Sequence, residues 1–395
     1  MELNAGPLSG IRVVEMTLMV AGPSCGLGLS HLGAEVIKIE SSALVDSTRG
    51  RDAWTWSSLN GGRLGAAVNL KHPESIALLK QLLATTDVLF YNMRQMALDR
   101  LGLDPETLLR EVNPRLIIMS MSGEGTTGPR RDYSGVATTF VGMSGIAHLS
   151  GFKGTPPFEL IYWPDIEFAD WGVLSVLSAL LEREQTGKGM YLDLAANEAL
   201  SWYTGETFMD VAMNGRNAER DDPWPPSVIQ GCYRTAGEER FISIAIGTDA
   251  EWQLLCGAMG REDLAADPRF ATATGRRAHQ PELDDCINEF TSPRENIGLA
   301  EDLQGMGIAA IPTFNGEELY SLPHLWERNA FQTVVHPITG QSVTLSGPAW
   351  TFSETPAAVR APGPLLGEHN NYVFGEILGL PQTEIDRLTE AGALK

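Results

Sequence analysis

The sequence predicts an α/β fold, a parallel β-sheet with helices on both faces, together with a smaller α+β domain in the middle of the chain. Three observations carry this. Short apolar runs alternate with helical stretches through roughly the first 200 residues, and runs apolar throughout belong to strands covered on both faces. At 395 residues the chain is long for a single core, so two domains are the expectation. The polar, Pro-rich "NGRNAERDDPWPPSVIQG" (214–231) then separates the alternating part from a region of different character.

Each element has a local reason. "IRVVEM" (11–16) is a β-branched run, followed by the glycine-rich "GPSCGLGLSHLG" (22–33), a turn entering a helix. "EVIKIE" (35–40) is the second strand. "PESIALLKQLLATT" (73–86) places apolar residues at helical spacing with Pro73 in the first turn. "DVLFYN" (87–92) is a third strand, a short helix lies near 95–101, and "DPETLLREV" (104–112) is a helix with an acidic start. "RLIIMSMS" (115–122) is a fourth strand. A long helix beginning near "YWPDIEFADWG" (162–172) runs to about Glu184, with Gly187 as a left-handed cap. "YLDLAANEALSW" (191–202) reads as strand, then helix. Beyond 231, "CYRTAGEERFISIAI" (232–246) reads as a hairpin, 250–306 as helical, "FQTVVHPITGQSVTL" (331–345) as another hairpin, and the C-terminus as helical.

Composition narrows the function. Fifty acids against 29 bases give a net charge of −21, a surface that repels nucleic acid and anionic membranes, so neither is an expected partner. No apolar stretch reaches the roughly 20 residues of a membrane span; "VLSVLSALL" (173–181) is about the longest. The N-terminus shows no secretory signal. Cys25, Cys232, Cys256 and Cys286 are far apart, which fits a reducing cytoplasm. The seven histidines are scattered without HxxxH spacing, so no metal site is expected.

Three chemistries can be read from the residues. The first strand, the glycine-rich turn and Glu40 imitate a dinucleotide-binding unit, but "GPSCGLGLSHLG" contains no GxGxxG, and helix–sheet packing is the better reading. "GPSCG" (22–26) satisfies the GxSxG of a hydrolase elbow on Ser24, yet only one strand precedes it, so Ser24 reads as a helix-entry residue. The third is "YWPDIEFADWG", where Asp165, Glu167 and Asp170 sit among aromatic residues. Asp165 falls at the N-terminus of a long helix, where the dipole keeps a carboxylate ionised. Such a carboxylate in an apolar surround is a competent acyl nucleophile. On spacing alone, a simple helix cap is the better account, because most aspartates at a helix start are only caps.

Longer motifs resemble one family. "PLSGIRVVEMTLMVAGPSCGLGLSHLGAEVIKIE" (7–40), "NGGRLGAAVNLKHPE" (60–74), "DVLFYNMRQMALDRLGLDPETLLREVNPRLIIMSMSGEGTTGP" (87–129), "YSGVATTFVGMSG" (133–145) and "LLEREQTGKGMYLDLA" (180–195) follow in order the pattern of the class III CoA-transferase family. This is the group of formyl-CoA transferase and carnitine CoA-transferase. The likeness is strong over about 1–200 and looser beyond. The family's nucleophilic aspartate lies 21 residues before the threonine of its Thr-Gly-Lys/Arg-Gly motif; counted back from Thr186, that is Asp165. Glu167 and Asp170 do not match.

The resemblance implies a CoA-transferase working through an aspartyl-acyl anhydride and an aspartyl-CoA thioester. It takes an acyl-CoA donor, such as succinyl-CoA, and a carboxylic acid acceptor, with CoA as cosubstrate and no tightly bound cofactor. It also implies an interlocked dimer, of identical chains or with a related subunit, whose large Rossmann-like domain is built from both termini. The boundaries are then 1–200 for the N-terminal part of the large domain, 201–231 for a linker, 232–327 for the small domain, and 328–395 for the return linker and C-terminal part. CoA contacts carried over by resemblance are Ala21, Arg63, Asn92, Met93, Arg100 and Arg131, the arginines meeting phosphates. Tyr133, Tyr162 and Trp163 are candidates for the substrate pocket. Tryptophans 54, 56, 163, 171 and 202 hint at a bulky or aromatic acid of aryl-succinate type.

Three departures matter. The racemases of the superfamily carry a histidine where this chain has "RDYSGV" (131–136), which disfavours α-proton shuttling. The glycine run that closes over the intermediate in formyl-CoA transferase is replaced by "DDPWPPSVIQG" (221–231). An Arg pair of some relatives is Ser41-Ser42 here. Besides the transferase, an acyl-CoA isomerase and a partner subunit of a hetero-oligomeric transferase are the rival readings.

Overall fold

The computed structural model describes residues 6–220 and 229–395. The chain divides into two compact units, Met1–Arg220 with Trp326–Lys395, and Asp221–Leu325.

In the first unit, β1 (Arg12–Met16), α1 (Ala21–His31), β2 (Glu35–Glu40), α2 (Ala53–Asn60), β3 (Leu64–Ala67), α3 (Pro73–Leu83), β4 (Val88–Tyr91), α4 (Gln95–Arg100) and β5 (Ile117–Ser122) follow one another. Then come α5 (Ala137–Met143), α6 (Trp163–Thr186), β6 (Met190–Ala195), α7 (Ala196–Ser201) and α8 (Gly205–Asn214). The six strands form one sheet in the order β3-β2-β1-β4-β5-β6, every pair parallel. The order reverses between β1 and β4, which leaves a crevice at the carboxyl ends of those strands.

Alternation along the strands builds two cores. Val13, Val88, Phe90, Ile117 and Met119 pack with Cys25 and Leu29 of α1 and with Phe168 and Val176 of α6. Their neighbours Val14, Leu89 and Ile118 point the other way, against Leu78 and Leu82 of α3 and Val373, Phe374, Ile385 and Leu388 near the C-terminus. Each such side chain contributes about 1.5–3 kcal/mol by leaving water. The C-terminal segment therefore completes the second layer and is no appendage.

The carboxyl ends of β1 and β2 hold a buried charge cluster. Glu15 lies 2.7 Å from Arg63 and 3.2 Å from Lys38, all three with fully buried side chains. Burial works to raise the Glu15 carboxyl, but Arg63 and Lys38 outweigh it and hold the group below the usual carboxylate range. Gly26 makes room for this pair, since a Cβ there would lie 2.2 Å from Glu15 Oε2. Glu40 is ion-paired to Arg49 at 2.5 Å. Ser24 lies inside α1, not on a turn, with a buried hydroxyl that has no partner among the described residues. The elements that imitate a dinucleotide site and a hydrolase elbow are thus packing features.

The second unit has an antiparallel sheet of β7 (Ile229–Arg234), β8 (Phe241–Ile246) and β9 (Ala309–Pro312). Helices Asp249–Met259, Gln280–Thr291 and Asn296–Gly305 share with it a core that includes Ile244, Trp252, Phe270 and Leu283. The segment 201–214, expected as linker, is instead helical to Asn214. Residues 221–228 of the expected linker, with most of "DDPWPPSVIQG", lie outside the described residues. Among the described residues no helix is long and apolar enough to cross a membrane.

Candidate active site

A cavity of about 870 Å³ opens at the crevice where the strand order reverses. It is walled by the turns after β1 (Leu18–Ala21), β4 (Asn92–Ala97) and β5 (from Met121), by residues 131–137, and by Asp165 and Phe168 of α6. Placement of a ligand site at the carboxyl ends of a parallel sheet follows from the topology.

Asp165 reaches it because of its helical phase. Phe168 and Gly172 lie three and seven positions further on, on the buried stripe of α6, so Asp165 shares the inward face. Pro164 sits in the first turn, and Tyr162, ahead of it, is held at φ 68°, a region unusual for a large side chain. Glu167 turns away and accepts a hydrogen bond from Tyr203 Oη, while Asp170 is exposed. The half-buried Asp165 carboxyl makes no hydrogen bond or ion pair among the described residues. Burial alone pushes it up to about 6. At pH 7 an acid of this strength is still about 90% ionised.

Of the other sequence-derived candidates, Ala21, Asn92, Met93, Arg131 and Tyr133 line the same cavity. Asn92 is engaged at both ends: it accepts from Leu18 N at 3.0 Å and donates to Leu18 O at 2.8 Å. It therefore fixes the turn after β1, in which Met19 adopts φ 71°. Arg131 lies 3.7 Å from Asp132 on an exposed stretch. Four candidates are not brought in. Arg63 is buried, and its guanidinium is spent on Glu15 and on the carbonyls of Pro23 and Leu59. Arg100 rests against Met96 Sδ at 3.2 Å outside the lining. Tyr162 Oη accepts from Arg51 at 3.1 Å, and Trp163 meets Tyr203 edge-on at 5.7 Å; neither lines the cavity.

None of the five tryptophans does so either. Trp56 lies beneath Arg49, 3.7 Å from guanidinium to ring centroid, and Trp171 packs on Trp202. The lining also contains residues that sequence reasoning passed over: Arg94, Ser134 and Phe140. Phe140 is recognisable only in space, because it fills the room left by two glycines. A Cβ on Gly123 or Gly135 would meet its ring at 2.7 or 2.3 Å.

A parallel six-stranded sheet with an unpartnered carboxylate at its crevice and two termini in one unit is an architecture open to comparison. The family model described as CoA-transferase family III matches residues 8–370. The chain belongs to this family. Among curated relatives, succinyl-CoA–D-citramalate CoA-transferase of Chloroflexus aurantiacus is 33% identical over 392 residues, covering 97% of this chain and 96% of that one. Succinyl-CoA:glutarate CoA-transferase of Homo sapiens is 25% identical, covering 99% of this chain and 90% of that one. Among solved structures, a CAIB/BAIF family protein from Brucella suis superposes with a TM-score of 0.86 at 28% identity, covering 95% of this chain and 100% of that one.

As a family III enzyme the protein is an acyl-CoA:carboxylate CoA-transferase, with CoA as a substrate. In this CoA-transferase no histidine lines the described cavity. Among the described residues no group of three or more His, Cys, Asp or Glu is placed to hold a metal.

Proposed function

We propose that this CoA-transferase moves CoA from succinyl-CoA to a small carboxylic acid, with Asp165 as the nucleophile. The observation that carries the reading is the Asp165 carboxyl, half-buried at the crevice and without a partner among the described residues. A carboxylate that has lost hydration and gained no cation is poised to attack an electrophile. It attacks the thioester carbonyl carbon, the C–S bond breaks, and a mixed anhydride and CoA thiolate result. The thiolate adds to the aspartyl carbonyl and expels succinate, leaving an aspartyl-CoA thioester. The acceptor carboxylate attacks that thioester to give a second anhydride and thiolate. The thiolate then takes the acyl carbon and restores Asp165.

The relatives named for citramalate, malate and glutarate support a small dicarboxylic acceptor. An aryl-succinate rested on tryptophans that lie away from the cavity. Ala21, Met93 and Arg131 are read as CoA contacts, and Asn92 as a positioning residue. An interlocked dimer, of like chains or with a related subunit, is supported by exposed Trp202, Phe208, Met209 and Met213, too many neighbouring apolar side chains for a free surface. A relative named as a beta subunit supports the heteromeric version. We place the enzyme in the cytoplasm, in keeping with its reduced, scattered cysteines.

The test is peptide mass after incubation with succinyl-CoA and hydroxylamine, beside Asp165→Asn. A hydroxamate at Asp165, absent from the variant, is the expected result. An unmodified Asp165 despite measurable CoA binding would overturn the lone-enzyme reading.

A further inference from the structure

The turn after β5 walls the cavity with Gly123, Gly125 and Thr126. Two glycines among residues 123–126 give this stretch wide backbone freedom, and Gly125 sits at φ 82°. Among the described residues its main chain is hydrogen-bonded at two places, and both partners lie on the segment formed by β6 and α7. Asn197 N donates to Gly123 O at 3.0 Å. Thr126 N donates to the Asp193 carboxylate, 2.9 Å from Oδ2 and 3.0 Å from Oδ1. The Thr126 hydroxyl adds to this, donating to Asp193 Oδ2 at 2.7 Å and accepting from Tyr191 Oη at 3.1 Å. Tyr191 and Asp193 stand two positions apart on β6, and so on one face of the strand.

Asp193 itself lies outside the cavity lining. Aspartate is disfavoured within a strand, and among the described residues every hydrogen bond to this carboxylate comes from Thr126. The residue therefore serves the turn and not the strand. We propose that Asp193 is a positioning residue of the transferase, fixing the turn after β5 so that this wall is already in place when an acyl-CoA arrives. This rests on the reading of the crevice as the acyl-transfer site. Asn92 ties the turn after β1 in the same manner, from the end of the neighbouring strand β4. Without Asp193 the turn would be free to hinge at Gly125, and the cost of ordering it would fall on the ligand. Saturating ligand would restore the wall, so Asp193 acts on affinity and not on the chemical step.

Binding of CoA and of succinyl-CoA is measured by calorimetry on Asp165→Asn protein, which cannot form the anhydride, with and without Asp193→Ala. The two bonds from Thr126 are each worth about 2- to 10-fold at an exposed site. Their loss is expected to weaken binding of at least one ligand about 10-fold, while Tm falls by no more than about 2 °C. Thr126→Val, which keeps the N–H and loses the hydroxyl, should weaken binding about 3-fold, and Thr126→Ser should bind more tightly than Thr126→Val. Unchanged affinity for both ligands in Asp193→Ala overturns the proposal, whatever happens to Tm. Should Asp193→Ala fail to fold, equal affinities of Thr126→Val and Thr126→Ser overturn it instead. A second readout keeps Asp165 intact and follows its labelling by hydroxylamine against succinyl-CoA concentration. In Asp193→Ala the half-saturating concentration should rise by the same factor as the binding constant, with the maximal rate within about twofold. The opposite split would place Asp193 in the chemical step and overturn the proposal. Failure to label Asp165 in the wild type would refute the nucleophile, and the binding comparison would still decide the role of Asp193.

Discussion

Asp165→Asn is expected to make the unliganded protein more stable while removing its activity. The carboxyl rises from an ordinary 3.8 to about 6, through burial, so the charged form is less favourable in the folded chain than in the unfolded one. A rise of that size sets the cost at no more than about 3 kcal/mol. The group is only half-buried, and water screens part of the effect, so a gain of about 1 kcal/mol is expected. With an unfolding entropy of about 2.1 cal/mol/K per residue, this is about 1–2 °C in Tm for a chain of this length. The sign fixes the pH dependence. Above pH 6 both states carry the charge and the folded state bears the whole cost. Between 6 and 3.8 the native state takes up its proton first and the cost fades, and below 3.8 it is gone. Thermal unfolding of wild type and variant at pH 8 and at pH 4 measures this. A variant less stable than wild type at pH 8, or a difference equal at both pH values, would refute the account of a desolvated, unpartnered carboxylate.

Two further outcomes follow from the same geometry. If ionised Asp165 is the attacking group, kcat/KM falls as pH drops through about 6, because protonation removes the nucleophile; a pH-rate profile with its acid limb near 4 would contradict burial as the controlling influence. Arg63→Met removes a buried partner of Glu15 and should cost about 3–5 kcal/mol by chemical denaturation, while the CoA affinity of the folded protein stays within about twofold; a stable variant with lost CoA affinity would restore Arg63 to the binding site.

The strands rich in β-branched residues were legible, because β1, β2, β4 and β5 are covered on both faces and read as apolar runs. β3 was not. "LGAA" has no β-branched residue, and small side chains are needed there because a Cβ on Gly65 would sit 2.7 Å from the Leu365 carbonyl of the returning chain. That constraint comes from a segment three hundred residues away, out of reach of any local pattern. β9, "AAIP", lies just beyond the stretch 250–306 read as helical and was assigned no element, for a similar reason: it is short, and pairing with β8 defines it. At the site, Asp165 could be placed because a motif fixes its distance from Thr186 and helical phase sets its face. Arg63 was misplaced because an arginine reads the same whether it meets a phosphate or a buried Glu15. Phe140 was missed because the two glycines whose room it fills, Gly123 and Gly135, meet its ring only once the chain has folded.

If Asp165 is the nucleophile, the crevice also explains why that carboxylate is left costly. A carboxylate paired with a cation would be more stable, but its lone pairs would be committed and its attack on a thioester weakened. A carboxyl fully buried without partners would be protonated at neutral pH and equally inert. Asp165 lies between these limits: its position in the first turn of a 24-residue helix gives it some favourable field, and Phe168 and Ala169 pin that helix to the sheet. Tyr162, just ahead, is held in a left-handed backbone conformation, which costs of the order of 1–3 kcal/mol. Both costs fall on the few residues that aim one carboxylate into the cavity, and the two cores on either side of the sheet sustain them.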